Sequence, residues 1–368
     1  MKKTLLLSTA LVAALPVGAY AFDVELNGQV NKALMVFDDG NSTETTIVDN
    51  NGSTTKFALS GEQVLDSGLT ASVLLSAELN GGNNSAGVTQ NNAVGEASTP
   101  VATTSSFQEE FARVGIAGEW GALLLGRQDT AVDDVFYRDL GAASDVLNPG
   151  FAAFGGGLVF KDSAGADVVV GATNAQVGNL AFGFNGDIEL QNSIRYNTPE
   201  WNGFNGSLST SQGGDIDATV RYAKAYDGFE VDSAFGIGFE NSGATGSTAD
   251  QTYYAAFAAR HESGFAGSVS YFQQELDGAA VGIDEPQGLY LKASYDWDKY
   301  GVAVDYAQFE DTLGEAVDHE LTSYGIAGQM DMGNGVSVGA LFRNYELDAT
   351  GLSAEDIQVF ALNMNVQF

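Results

Sequence analysis

The sequence predicts an all-β protein: a 16-stranded antiparallel transmembrane β-barrel with a long third loop folded into the lumen. Three observations carry this expectation. The first is a two-residue apolar/polar alternation that recurs along the chain and is cleanest at its end. Phe360, Leu362, Met364, Val366 and Phe368 share one parity, and Ala361, Asn363, Asn365 and Gln367 share the other. A strand with one apolar and one polar face lies between two solvents. The second is the alternation of short turns with longer polar connections, the asymmetry of an outer-membrane barrel. The third is the absence of any later segment approaching the ~20 apolar residues of a membrane helix. A chain that crosses lipid without helices must close its sheet, because every backbone polar group has to be paired there.

Taken from the N-terminus, Lys2 and Lys3 precede the apolar run Leu5–Val17, and Ala19-Tyr20-Ala21 is a small-residue cleavage signal. Residues 1–21 therefore read as a secretory signal peptide, leaving 22–368 as a single barrel. Strands are expected wherever alternation persists. The clearest are 69–79, 229–240, 289–298, 300–306, 336–343 and the terminal 356–368. Weaker patterns at 23–37, 54–60, 107–117, 120–127, 187–198, 203–211, 216–225, 252–261, 265–274 and 321–330 complete sixteen, an even number as a bacterial barrel requires.

Short turns are expected at 62–68, 118–119, 199–202, 226–228, 262–264, 297–299 and 331–335. The opposite end has the longer connections 38–53, 80–106, 128–186, 241–251, 275–288, 310–320 and 346–355, with 212–215 a short exception. The segment 128–186 carries Val135, Phe136, Tyr137, Leu140, Phe151, Phe154, Leu158 and Phe160. It is too apolar for a disordered tail, and the lumen is the place where it can pack. Trp120, Tyr295, Trp297, Tyr300 and Phe368 fall at strand ends, where interfacial aromatic girdles belong.

The chain carries 15 basic and 48 acidic residues and no cysteine. That balance opposes nucleic-acid binding, and thiol or disulfide chemistry is excluded. Loss of Lys2 and Lys3 leaves thirteen basic groups. Ten fall in expected strands: Lys32, Lys56, Arg113, Arg127, Arg195, Arg221, Lys224, Arg260, Lys292 and Arg343. A charge facing lipid costs roughly 2–4 kcal/mol at the midplane, so most of the ten should point inward. They either form a positive stripe or pair with lumenal carboxylates such as Glu78, Glu230 and Asp305.

The order of several short motifs resembles the trimeric general porins of Gram-negative outer membranes. Lys56-Phe57-Ala58-Leu59-Ser60-Gly61-Glu62 is similar to that family's second strand. Val114-Gly115-Ile116-Ala117-Gly118 and Leu125-Gly126-Arg127-Gln128 resemble the strands leading into its long third loop. Ser193-Ile194-Arg195-Tyr196-Asn197-Thr198-Pro199 resembles the strand after that loop. The resemblance implies a homotrimer of barrels, each narrowed by its third loop (128–186), with the second loop (80–106) latching onto a neighbour. It implies a pore constriction with a basic wall of Lys56, Arg113, Arg127 and Arg195. Facing that wall would be loop acids drawn from Asp133, Asp134, Asp139 and Asp145. Phe360, Leu362, Met364, Val366 and Phe368 would be the C-terminal signal for the barrel-assembly machinery. Lipid and lipopolysaccharide are the expected surroundings.

A constriction of this kind needs no covalent chemistry and no cofactor. Acids and bases facing each other across a narrow aqueous gap set up a transverse field that sorts solutes by charge and size. The expected function is passive diffusion of ions and small hydrophilic solutes, leaning toward cations. A substrate-specific channel of the same architecture is the alternative; Tyr290 and Phe272 are its candidate inward aromatics. A barrel enzyme is disfavoured, because His261 and His319 have neither triad partners nor metal-site spacing. The loop acids Asp311, Glu315, Asp318 and Glu320 are candidates for weak Ca²⁺ or Mg²⁺ binding.

Overall fold

The computed structural model describes residues 23–80, 84–90, 106–181, 190–240, 249–277 and 282–368. The expected signal peptide and most of the second loop lie outside them. No helix among the described residues is long and apolar enough to cross a membrane. The chain is instead one closed antiparallel sheet. Its wall strands are β1 (Asp23–Asp38), β2 (Thr43–Asp49 continued by Lys56–Val64), β3 (Thr70–Asn80), β4 (Ser106–Gly118), β5 (Gly121–Gln128) and β6 (Gln191–Asn197). They continue as β7 (Phe204–Ser211), β8 (Ile216–Tyr226), β9 (Phe229–Phe239), β10 (Ala249–His261) and β11 (Phe265–Leu276). The last five are β12 (Gln287–Trp297), β13 (Tyr300–Glu310), β14 (His319–Gly333), β15 (Val336–Ala349) and β16 (Ile357–Gln367).

Closure falls on β1. It pairs with β16 from Gln29↔Gln367 to Asp38↔Gln358, and with both halves of β2, Asp38↔Thr43 to Lys32↔Asp49 and Gln29↔Lys56 to Asp23↔Glu62. Residues 50–55 interrupt β2 and turn inward, where Asn50 donates to the Asp145 carbonyl at 2.7 Å. Half of the expected long loop at 38–53 is therefore strand. Its threonine-rich run hides the alternation, although Thr45, Ile47 and Asp49 share the outward parity.

The dyad pattern sorts the faces as expected. Val73, Leu125, Leu208, Phe235, Val304 and Phe360 are exposed on the outside. Trp120 stacks on Tyr196 at 6.2 Å, and Tyr295, Trp297 and Tyr300 form a continuous row at the short-turn rim.

The third loop folds into the interior. Phe136, Leu147, Phe151, Phe154, Leu158 and Phe160 pack in one core with the inward side chains Met35, Phe37, Phe272, Tyr290, Phe309 and Tyr345. Each such side chain contributes about 1.5–3 kcal/mol when removed from water. Where the loop lies on the sheet, the wall presents glycine: a Cβ at Gly236 would meet Val132 Cγ1 at 2.9 Å.

Polar ties fix the loop's course around the wall. Ala131 N donates to Ser209 Oγ at 2.7 Å on β7, and Ser270 Oγ on β11 donates to Phe136 O at 2.6 Å. Tyr345 Oη on β15 donates to Phe151 O at 2.8 Å. Beyond Phe154 the loop forms a cap with a small hairpin (Val169–Val170 and Thr173–Asn174) and one helical turn, Val177–Leu180. Glu355 N to Lys161 O (2.8 Å) and Thr312 Oγ1 to Leu180 O (2.8 Å) hold it across the long-loop mouth.

Residues 84–90 of the expected latch fold onto this cap instead of away from the barrel. Gly155 N donates to Ser85 O at 3.0 Å, and Gln90 Nε2 donates to Val159 O at 2.6 Å. The glycines at 155–157 leave room for that close approach. The remainder of 80–106 lies outside the described residues.

Beneath the loop, Arg343 Nη2 donates to Asp305 Oδ2 at 2.6 Å, and both side chains are almost fully buried. Tyr290 Oη donates to the same carboxylate at 3.1 Å. Asp305→Ala would strand the guanidinium without a counter-charge. Such a loss costs about 3–5 kcal/mol, and we expect a lower unfolding temperature, read as the heat needed to convert the compact barrel band to the unfolded one in SDS gels.

Candidate functional site: the lumenal constriction

Because the loop packs on the β9–β16 side and on the long-loop ends of β1 and β2, where Met35, Phe37 and Val48 join its core, the open passage runs along the remainder of β1–β8. Cross-strand register sets its inward side chains in rows. One row joins Glu25, Ser60, Leu74, Arg113, Gly126 and Ser193; the next joins Asp23, Glu62, Ser72, Gly115, Leu124 and Arg195. Lys56 stands further up the wall, opposite Glu78.

Seven of the ten strand bases share the inward parity: Lys56, Arg113, Arg195, Arg221, Arg260, Lys292 and Arg343. Most are neutralised. Lys56 pairs with Glu110 at 2.6 Å, Arg221 with Asp232 at 2.5 Å, Arg260 with Asp296 at 2.7 Å and Lys292 with Asp139 at 2.5 Å. Arg113 and Arg195 differ. Among the described residues neither has a carboxylate oxygen within 4 Å. Arg113 lies over the Phe111 ring at 5.7 Å, and Arg195 donates to Thr130 O at 3.0 Å and to Asn197 Oδ1 at 2.9 Å. The two guanidiniums are close enough to repel each other, with Asp129 offsetting that repulsion.

Arg127 is a correction. It pairs with Ala112 and alternates with the outward Leu123 and Leu125, while Gln128 is buried inside. Its guanidinium donates to Leu190 O at 2.6 Å on the outward side. A one-residue parity difference removes it from the lumen, so the basic wall is Lys56, Arg113 and Arg195. Lys32 and Lys224 also take the outward parity.

The four expected acids separate into two pairs. Asp133 and Asp134 lie at the start of the loop, beside Arg195 and Arg138 respectively. Asp139 and Asp145 are turned to the wall as anchors. Asp139 holds the buried Lys292, and Asp145 accepts from Gln329 at 2.8 Å and Ser337 at 2.5 Å. Asp129 was not among the candidates, yet it belongs to the constriction. Its position directly after the end of β5 is the signal that marks it. Glu110 was missed because a bulge in β4 changes its parity.

Burial and a hydrogen bond shared with Asp129 push the Asp133 carboxyl well above the usual carboxylate range; Asp134 adds to the rise and Arg195 opposes it.

Tyr290 and Phe272 do face inward, but both are buried under the loop and line no water path. His319 is also structural: Nδ1 contacts Val317 O at 2.7 Å and Nε2 accepts from Leu313 N at 3.1 Å. His261 sits on Phe229 at the outer rim, its Nδ1 2.7 Å from Ser263 Oγ.

The four candidate metal acids are not gathered together. Glu315 accepts from Thr173 of the cap at 2.8 Å, Glu320 accepts from Gln308 and Thr322, and Asp311 accepts from His319 N at 3.1 Å. No group of three metal-ligating side chains converges among the described residues.

A profile of the family described as Gram-negative porin matches residues 8–350. The chain belongs to the Gram-negative porins. Solved structures share its architecture at low identity. A trimer form of OmpT from Vibrio cholerae aligns with TM-score 0.57 at 13% identity, covering 95% of this chain and 100% of that one. An anion-selective porin from Comamonas acidovorans gives 0.59 at 14%, covering 95% and 100%. The outer membrane channel DcaP of Acinetobacter baumannii gives 0.57 at 9%, covering 94% and 97%. No curated protein matches the sequence. Family and fold are those of an outer-membrane channel rather than an enzyme.

Two outcomes follow from this geometry. Arg113→Ala and Arg195→Ala should each move the reversal potential in a KCl gradient toward that of K⁺, whereas Arg127→Ala should leave it in place. Acidification should also act through Asp133. Its carboxyl is neutral at pH values where an ordinary aspartate is charged, so cation preference should rise as pH climbs through its titration and fall as pH drops. The same reversal potential, recorded against pH in wild type and Asp133→Asn, should show that pH-dependent step only in the wild type.

Proposed function

We propose that this porin is a homotrimeric diffusion channel for ions and small hydrophilic solutes, leaning toward cations. The passage between the third loop and β1–β8 supports this reading. Its wall is polar and charged, four of the seven inward bases pair closely with carboxylates along the wall or beneath the loop, and a fifth, Arg343, is buried against Asp305. Further acids at Asp23, Glu25, Glu62, Glu78, Asp129 and Asp134 lie along the passage. Charges on distant external loops are screened within about 8–10 Å at ordinary salt, so those lining the constriction decide selectivity.

The outside of the barrel supports the homotrimer. Tyrosine and tryptophan mark the membrane interfaces from β5 to β14. Among the described outward residues of β15, β16 and β1–β4 there is neither. In that same gap Lys32 pairs with Asp49 at 2.5 Å in the middle of the wall. A charge there costs about 2–4 kcal/mol against lipid, but not against a polar protein neighbour. A second copy is the partner this face suits.

Export through the signal peptide at 1–21 and recognition of the outward Phe360, Leu362, Met364, Val366 and Phe368 by the assembly machinery complete the reading. On the long-loop rim the outward Glu310, Glu320 and Glu346 suit lipopolysaccharide bridged by weakly held Ca²⁺ or Mg²⁺.

Purified protein reconstituted in a planar bilayer tests the proposal. Stable conductance steps grouped in threes, with a reversal potential on the K⁺ side in a KCl gradient, are expected. Steps occurring singly would remove the trimer, and a reversal potential on the Cl⁻ side would reverse the selectivity.

A further inference from the structure

We propose that the short-turn half of the lumen holds a binding subsite for short zwitterionic peptides with an apolar side chain at the centre. This rests on the channel reading above and adds a class of preferred solute to it. The observation is an ordered recess of about 680 Å³ on the β1–β5 wall, within the size range of small-molecule sites. Its lining changes character across the strands. β1 and β2 present Glu25 and Glu62, β3 and β5 present Leu74 and Leu124, and β4 presents Arg113.

Two leucines stand at inward positions on a face that the dyad pattern otherwise keeps mainly polar. They also converge. A Cβ at Gly115 would meet Leu124 Cδ2 at 2.7 Å and Ser72 Oγ at 2.5 Å. Leu124 therefore lies across β4 toward the β3 side of the recess, and only glycine at 115 leaves it that space. Leu74 is the direct cross-strand partner of Arg113. The guanidinium thus has apolar neighbours and no carboxylate within 4 Å among the described residues, which strengthens its attraction for an incoming anion.

Spacing defines the ligand. Glu62 on β2 and Arg113 on β4 are two strand intervals apart and offset by two residues along the strands. That is about 12 Å between backbones at ~4.8 Å per interval and ~3.4 Å per residue, and the long arginine side chain can close the difference to a tripeptide's length. An extended tripeptide spans at most about 10–11 Å. Its ammonium reaches the Glu62 and Glu25 pole, its carboxylate reaches Arg113, and its central side chain meets Leu74 and Leu124. A simple anion satisfies one pole and is repelled by the other, and an apolar neutral solute satisfies neither.

Single-channel recording with defined peptides tests this. KCl current is measured first in each channel, and peptide block is expressed as a fraction of it. Gly-Leu-Gly should block at a half-saturating concentration about fivefold below that of Gly-Gly-Gly, the effect of partly burying one leucine. Acetylating the N-terminus and amidating the C-terminus of Gly-Leu-Gly should abolish the block. Arg113→Gln should weaken both zwitterions, and Leu74→Ser should erase the difference between them. Leu124→Ser provides the same reading if Leu74→Ser does not fold. Equal block by the two peptides, undiminished block by the capped peptide, or a full fivefold preference in a folded leucine variant would each overturn the subsite. A bilayer silent in KCl would instead overturn the channel reading on which it rests.

Discussion

The obligation to pair every backbone amide and carbonyl inside lipid governs the rest of this structure. It is met by closing the sheet at β1, which bonds β16 on one edge and both halves of β2 on the other. Sixteen strands enclose more space than wall side chains can fill. The long third loop occupies the excess, and it does so by carrying a hydrophobic core into what would otherwise be water.

That core explains the uneven division of the lumen. On the β9–β16 side the inward residues include Phe272, Tyr290, Phe309, Tyr345 and Val359, all buried under the loop. On the β1–β8 side they are mainly Ser, Thr, Glu and Arg. Charges also divide into two roles. The pairs Arg343–Asp305 and Lys292–Asp139 are dry: the first ties two wall strands together beneath the loop, and the second holds the loop to the wall. Arg113, Arg195, Asp129 and Asp133 face the passage and set its field.

Much of the fold was legible in the sequence, because a strand with lipid on one side and water on the other must alternate. The terminal run from Phe360 to Phe368 and the aromatic strand ends were read from that rule alone. Thr43–Asp49 escaped it, since threonine is tolerated on both faces near the rim. Tyr290 and Phe272 were read as inward candidates, but Phe309 and Tyr345 escaped it, because a wall covered by a loop is apolar on both sides and loses its period. The constriction was legible only in part. Lys56, Arg113 and Arg195 followed from residue type and strand position, but Arg127 shows that a single step of parity decides lumen or exterior. Asp139 and Asp145 could not be told from Asp133 and Asp134, because all four are loop acids. Only the fold shows which of them meet a wall lysine or serine and which meet the passage.

The central claim is that the loop seals one side of the lumen and leaves the other open. The natural absence of cysteine allows a direct measurement: modification of single introduced cysteines by a small charged methanethiosulfonate reagent during single-channel recording. Ser72→Cys, on the open wall, should react within seconds and change the current. Ser270→Cys, fully buried under Phe136, should stay unmodified in the folded barrel. Equal reaction at both positions would contradict the account, because it would place water where the structure places the core of the third loop.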